Sequence, residues 1–586
     1  MEYVLEKLTQ EMAAAFEKAG FQGSYGKVSL SNRPDLCEYQ CNGAMAAAKE
    51  YHKAPFQIAE SVAQNLSENS FFQDVSVVKP GFINLNVTGE FLCEYLKGMS
   101  AEEHFGFKKK GAPKKVVIDY GGPNVAKPLH VGHLRSAIIG ESIKRMMRFA
   151  GDDVKGDVHL GDWGLQIGLI IMELQRRKPD LPYFDPEITD GYPEEPPFTM
   201  DDLSDIYPTA SAYSKENEEF LLQAREATAQ FQEGRPGYVA IWKHIIGVSI
   251  PDLRNNYERL NVSFDWWKKE SDAKPYVEGM VKKMQDGGFT YESEGALVVD
   301  VTEETDKKEI PPCIIIKSNG ATMYSTTDLA TIVERVESFD PNEIIYIVDK
   351  RQSMHFTQVF RTAKKTGLCR EDVDLTFIGF GTMNGKDGKP FKTRDGGVLR
   401  LQTLVDEIQE KIYEKIQETR EYEEDEMREI SRKVGVAALK YADLSNQASK
   451  DYIFDLERFT SFEGNTGPYI LYTVVRIKSI LEKAKAEGLE GKTLLAPANA
   501  SEKKLYMALT KFPEMMESAY EDQAPHKICQ YMYELCEQLN HFYHENSILK
   551  QEDEERKASY LVLLPLVKDV LVTCLDLLGM EAPDRM

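Results

Sequence analysis

Four short apolar runs, Val116 to Ile118, Val154 to His159, Glu343 to Val348 and Leu375 to Gly379, each followed by a helix-like stretch, constrain the fold most. Runs without polar alternation belong to strands buried on both faces, and strands separated by helices pair in parallel. The rhythm therefore predicts an α/β domain built on a doubly wound parallel sheet. Between residues 172 and 296 it breaks into a Pro- and acid-rich stretch, Lys178 to Pro208, and then long helical patterns through Ala224, Ile241 and Leu253, which reads as an insertion. Before residue 110, helix-like segments (Val4 to Ala19, Ala54 to Glu68) mix with strand-like ones (Val28 to Leu30, Gly81 to Val87), predicting a small α+β module. From residue 401 onward strand patterns almost vanish and apolar residues recur at helical spacing, as in Val434, Ala437, Ala438, Tyr441 and Leu444, which predicts a helical bundle.

Ligands of such sheets bind beyond the carboxyl ends of the strands. There the run Val116 to Ile118 leads into Asp119-Tyr-Gly-Gly-Pro-Asn-Val-Ala-Lys-Pro-Leu-His130-Val-Gly-His133, a helix start with two histidines flanking a glycine. A helix start offers unpaired backbone N–H groups and partial positive charge to an anion. Gly132 lets a flat base or ribose approach the backbone, and His130 and His133, three apart, face one side with both imidazoles ready to donate to phosphate oxygens. On the residues alone the pair reads equally as metal ligands or a helix cap. Zinc would need further ligands, and the nearest cysteines, Cys93 and Cys313, are remote in sequence, so no zinc is expected.

A chain of 586 residues exceeds what one core serves, so several domains are expected. No apolar run reads as long enough to span a bilayer, and the first segment mixes charges into a helical pattern, which predicts a soluble, untargeted, cytoplasmic protein. The eight cysteines lack metal-knuckle pairing and read as free thiols. A net charge of −24 argues against nucleic-acid binding by global attraction. Any such contact falls to local basic stretches, Lys108 to Lys115, Lys386 to Arg400 and Arg476 to Lys485, the first of which reads as an interdomain linker.

The segment Asn124-Val-Ala-Lys-Pro-Leu-His130-Val-Gly-His133-Leu-Arg-Ser resembles the HIGH motif of class I aminoacyl-tRNA synthetases, in the extended form typical of arginyl-tRNA synthetases. Further similar motifs follow in family order: Gly161-Asp162-Trp163-Gly164, Tyr324-Ser-Thr-Thr-Asp328, Asp349-Lys-Arg-Gln352-Ser-Met-His355, Gly385-Lys-Asp-Gly-Lys-Pro-Phe-Lys392-Thr-Arg394 and Glu463-Gly-Asn-Thr-Gly-Pro-Tyr469-Ile-Leu-Tyr472. The resemblance implies a tRNA-contacting module over 1–110, a Rossmann-like catalytic domain over 111–400 carrying the insertion at about 172–296, connecting helices over 401–455 and an all-α anticodon-binding domain over 456–586. It implies ligation of L-arginine to tRNA(Arg) through an arginyl-adenylate, with ATP brought as its Mg2+ complex. The activation step is expected to depend on tRNA, and the enzyme to work as a monomer without an obligatory protein partner. A synthetase for another amino acid and a noncatalytic tRNA-binding paralogue are the alternatives. The pocket carboxylates argue against the first, and the intact Lys127, His130, Gly132 and His133 against the second.

By the same resemblance His130, Gly132, His133 and His355 bind ATP, and Lys127, His130, His133, Lys392 and Arg394 serve catalysis. The chain departs from the KMSKS pattern, with Thr393 where the second lysine belongs. In the arginyl family this loss goes with a lysine just before HIGH, the place of Lys127. Reading a guanidinium takes a carboxylate with two parallel acceptors. Asp328 and Asp119 are the candidates, Asp119 standing where the family often has Glu, with Tyr324, Gln352 and Asn124 completing the arginine pocket. A core tyrosine and an N-cap aspartate are the other reading of Tyr324 and Asp328. Phe82, Asn84, Tyr469, Tyr472 and Met586 are the implied tRNA contacts, the two tyrosines reading otherwise as core aromatics of a bundle.

Overall fold

The computed structural model describes residues 1–389, 399–418 and 422–586. Its central sheet contains β1 (Lys115–Tyr120), β2 (Asp153–Asp157), β3 (Glu343–Asp349) and β4 (Asp374–Phe380), all parallel, in the order β4-β3-β1-β2. Val116, Val117, Ile118, Ile344, Ile345 and Ile347 are wholly buried, which is why β1 and β3 read as apolar runs. The chain leaves β1 toward β2 on one side and returns to β3 on the other, so the β1/β3 boundary is the topological switch point. The segment after β1 enters α1 (Val131–Phe149) there.

Five helices lie between β2 and residue 286, among them α2 (Met200–Glu216) and α3 (Glu270–Asp286). An antiparallel sheet, Thr290–Ser293, Ala296–Val299 and Cys313–Ile316, and then α4 (Tyr324–Phe339) lead back to β3. Helix starts earlier than the composition of Lys178 to Pro208 predicts. Thr199 Oγ1 accepts from Asp202 N (3.2 Å) while the Asp202 carboxylate accepts from Thr199 N (2.7 Å), and this capping box starts α2 before its acid-rich turn and carries it through Pro208.

By contacts the chain divides into two compact units: residues 111–468 with 576–581, which hold the parallel sheet, and residues 1–110 with 469–575 and 582–586. In the latter, a four-stranded antiparallel sheet (Val28–Leu30, Tyr39–Cys41, Phe82–Val87, Phe72–Val78 in spatial order) shares one body with the C-terminal helices. Lys503 pairs with Glu38 at 2.6 Å, Cys93 Sγ donates to Leu494 O at 3.3 Å and Leu5 N donates to Glu514 at 3.0 Å. One sequence expectation is overturned: α5 (Glu554–Leu577) is long and apolar enough to cross a membrane. Two thirds of its apolar stretch is buried within the protein, where Leu563, Leu564, Val567, Val570, Leu571 and Cys574 are fully enclosed, so its composition reflects a helix covered on most sides. All eight cysteines are free and buried.

Candidate active site

His130 is the N-cap of α1, and its Nδ1 accepts from Gly132 N at 3.0 Å, while His133 Nδ1 accepts from His130 N at 3.2 Å. An imidazole nitrogen that accepts carries no proton, so in each neutral ring the hydrogen sits on Nε2. Burial, with the Lys127 ammonium nearby, holds His130 below its ordinary pKa; burial, then His130 and Lys127, push His133 down to about 3. The result is a pair of neutral rings, centroids 3.9 Å apart, each with an Nε2–H to offer. A Cβ on Gly132 would lie 2.7 Å from His130 Cε1, so the glycine is needed to seat the His130 ring itself.

The backbone part of the anion expectation is corrected. Val131 N donates to Leu399 O (3.2 Å), Gly132 N to His130 Nδ1 and His133 N to His130 O (2.8 Å), so the first-turn amides are already taken. What this helix start leaves to offer is imidazole N–H and the Lys127 ammonium. Leu401 N also donates to Leu129 O (2.9 Å), which pins the chain that follows residues 390–398 against the histidine segment. Lys392 and Arg394 lie outside the described residues.

The loop after β1 turns at Gly121 (φ +93°) and crosses the loop after β2, with Val125 N donating to Gly161 O and Gly161 N to Pro123 O, both at 3.0 Å. A Cβ on Gly161 would lie 2.2 Å from Asn124 Oδ1, so the glycine in Gly161-Asp162-Trp163-Gly164 makes room for exposed Asn124. Asp162 accepts from Ser271 N (3.0 Å) and Ser271 Oγ (2.7 Å) and so fastens the start of α3.

Asp119 already holds a guanidinium, that of Arg335 on α4. The fully buried Arg335 donates from Nη2 to Asp119 (2.6 Å) and to Asp157 at the end of β2 (2.7 Å). His159 Nδ1 lies 3.5 Å from Asp157. Against the cost of burial, Asp157 and Asp119 raise His159 to about 9, and His159 with Arg335 holds Asp157 well below the usual carboxylate range. Asp119, Asp157 and His159 are spaced as metal ligands, and the Arg335 guanidinium supplies positive charge among them.

Tyr324 and Asp328 begin α4 one turn apart. Ser325 Oγ and Thr326 Oγ1 donate to Ile314 O and Ile315 O, tying this turn to the strand Cys313–Ile316. Tyr324 is 73% exposed and the N-cap is Met323, which excludes the core-tyrosine and N-cap-aspartate reading. His355 Nε2 donates to Asp328 Oδ2 at 2.5 Å, and Gln352 is exposed in the short helix after β3. Glu270, the first residue of α3, has no motif to announce it. Burial, then the Asp162 and Asp328 carboxylates against an opposing His159, raise it to about 7.

Among the implied tRNA contacts, Asn84 is buried and its Oδ1 accepts from Gln40 (2.8 Å), with Phe82 half-buried on the same strand. Tyr469 donates to Glu537 (2.8 Å) and accepts from Asn540 (2.6 Å). Half-buried Tyr472 lies under the Arg476 guanidinium, 4.8 Å away, which also sits 5.1 Å from exposed Tyr543. Arg476 opens the basic stretch Arg476 to Lys485, whereas Tyr543 carries no sequence signal. Met586 is buried.

Three family models match: the tRNA synthetases class I (R) catalytic domain over residues 97–456, the arginyl tRNA synthetase N terminal domain over 5–87 and the DALR anticodon binding domain over 470–586. The arginine–tRNA ligase of Agathobacter rectalis is 58% identical and that of Alkaliphilus oremlandii 52%, each alignment covering 100% of both chains. The fold is similar to arginyl-tRNA synthetases from Plasmodium falciparum (TM-score 0.80, 24% identity) and Thermus thermophilus (0.79, 21%), with 100% of each chain covered.

Proposed function

The chain belongs to the class I arginyl-tRNA synthetase family, and from that premise we propose how its residues carry out the ligation of L-arginine to tRNA(Arg) at the expense of ATP. The observation that carries the proposal is the pair of neutral imidazole donors with the Lys127 ammonium close by, that ammonium packed on the Tyr207 ring, which with Glu270 and Asp328 acts on Tyr324. The arginine carboxylate attacks the α-phosphorus, forming a C(O)–O–P bond as the bond to pyrophosphate breaks. A ribose hydroxyl of the tRNA terminus then attacks the adenylate carbonyl and releases AMP. Both nucleophiles come from substrates, so the protein acts by alignment and by stabilising charge on phosphorus oxygens. His130 and His133 donate from Nε2, Lys127 supplies full charge, and ATP arrives as its Mg2+ complex. Lys392 and Arg394 complete the phosphate ligands. Asp328 and Glu270 clasp the guanidinium, Tyr324 lines the pocket, and Asn124 and Gln352 take the amino-acid end.

The anticodon meets the C-terminal helices at Tyr469, Tyr472 and Met586, and the N-terminal sheet meets tRNA at Phe82 and Asn84. The enzyme works in the cytoplasm as a monomer. Charging purified tRNA with each standard amino acid tests the whole proposal, with ATP/pyrophosphate exchange run with and without tRNA. Arginine alone is expected to be charged, and exchange to need tRNA. Charging of another amino acid, or tight tRNA binding with no charging, defeats the proposal.

Two expected results bear on single groups. Lys127→Ala slows adenylate formation by roughly 10²–10³, the usual loss on removing one preorganised donor, and an unchanged single-turnover rate removes it from the phosphate site. Glu270, raised to about 7, is largely protonated below that pH, and a bound guanidinium favours its ionised form. Arginine binding therefore weakens as pH falls below 7, by up to about tenfold per unit, with a proton released on binding. The slope should vanish in Glu270→Gln, and a wild-type KM for arginine that is flat from pH 8 to 6 excludes the role.

A further inference from the structure

We propose that Tyr207, on the inserted helix α2, is a positioning residue that holds the Lys127 ammonium over the phosphate site. The inference rests on the reading of Lys127 as a phosphate ligand. Lys127 Nζ lies 4.3 Å from the centre of the Tyr207 ring. The same ammonium is close enough to both catalytic imidazoles to depress their protonation. One end of the lysine is thus fixed by the loop after β1 and the other by a ring from the insertion.

The partner type matters. A lysine stem is flexible, and ordering it has an entropic cost that must be met before the chemical step if the charge is to be preorganised. A carboxylate would hold the ammonium but neutralise it and compete with phosphate. An aromatic face holds it through the ring quadrupole and leaves its charge intact. Among the described residues no carboxylate forms an ion pair with Lys127, and the Tyr207 ring faces its ammonium. The ring is itself well seated: Tyr207 packs against the cluster of Leu169, Ala210, Phe220 and Ala224, on a helix whose start is locked by the Thr199–Asp202 box. The insertion thereby contributes to activation, although no motif in it is chemical.

The test is a double-mutant cycle in the full-length enzyme, measuring the rate of arginyl-adenylate formation with saturating tRNA, together with KM for arginine and the melting midpoint. Tyr207→Leu is expected to lower the rate roughly three- to thirtyfold with KM for arginine unchanged, and Tyr207→Phe, which keeps the ring face, to retain the wild-type rate. In a Lys127→Ala background Tyr207→Leu should cost nothing further. Tyr207→Met, also without a ring, repeats the test if the leucine variant melts early. A wild-type rate in both ringless variants overturns the inference. So does an equal loss with and without Lys127, or a phenylalanine variant as slow as the leucine one. A silent Lys127→Ala overturns the phosphate reading instead, and the inference falls with it.

Discussion

Asp328→Ala is expected to lower kcat/KM for arginine by about 2–5 kcal/mol in transition-state terms, roughly thirty- to several-thousandfold, the range for truncating one partner of a desolvated charge pair. The reason is local. Asp328 stands one turn inside α4 beside exposed Tyr324, and its carboxylate is held by His355 at 2.5 Å. That bond aims the acceptor before any ligand arrives. An arginine side chain brings five N–H donors in a planar fork, and losing the carboxylate leaves some of them buried without acceptors. Asp328→Asn separates charge from shape, since it keeps the size and one acceptor but not the negative charge. The loss should appear in arginine-dependent exchange with tRNA present while the melting midpoint stays within a few degrees. Near wild-type kinetics would take Asp328 out of the pocket.

Arg335→Leu should destabilise the unit that holds the parallel sheet by about 3–5 kcal/mol. It removes the guanidinium that bridges Asp119 and Asp157, leaving a buried and a half-buried carboxylate without their shared partner at the carboxyl ends of β1 and β2. The pH dependence has a definite sign. Asp157 sits below its ordinary pKa in the folded protein, so its pairing stabilises the fold above the unfolded-state pKa and is lost as pH falls through the lower folded value. The gap in melting temperature between wild type and Arg335→Leu should therefore be widest near neutrality and narrow below pH about 4. Asp119→Asn and Asp157→Asn, added to Arg335→Leu, should restore part of the loss by removing the unpaired charges. A variant that melts like wild type at pH 7 would show that the cluster is not an electrostatic clasp.

The amino-acid order alone determined whatever neighbours in the chain control. The strands at 116 and 343 were legible because a run buried on both faces leaves an unbroken apolar signature, and those at 154 and 375 because they repeat the strand–helix rhythm. The two-histidine helix start was legible because a cap, a glycine and two rings interact within four residues. Tyr324 and Asp328 could be paired because a helical turn fixes their spacing. What only the tertiary structure decided are approaches between residues far apart in the chain. The Arg335 clasp on Asp119 joins α4 to β1, the Asp328 carboxylate acts on Glu270, Tyr207 reaches Lys127 from an insertion, and Leu399 takes the Val131 amide. Chain periodicity reports which face of an element is apolar. It carries no information on which distant polar group will satisfy a buried donor or charge, because that pairing follows from how elements close upon one another.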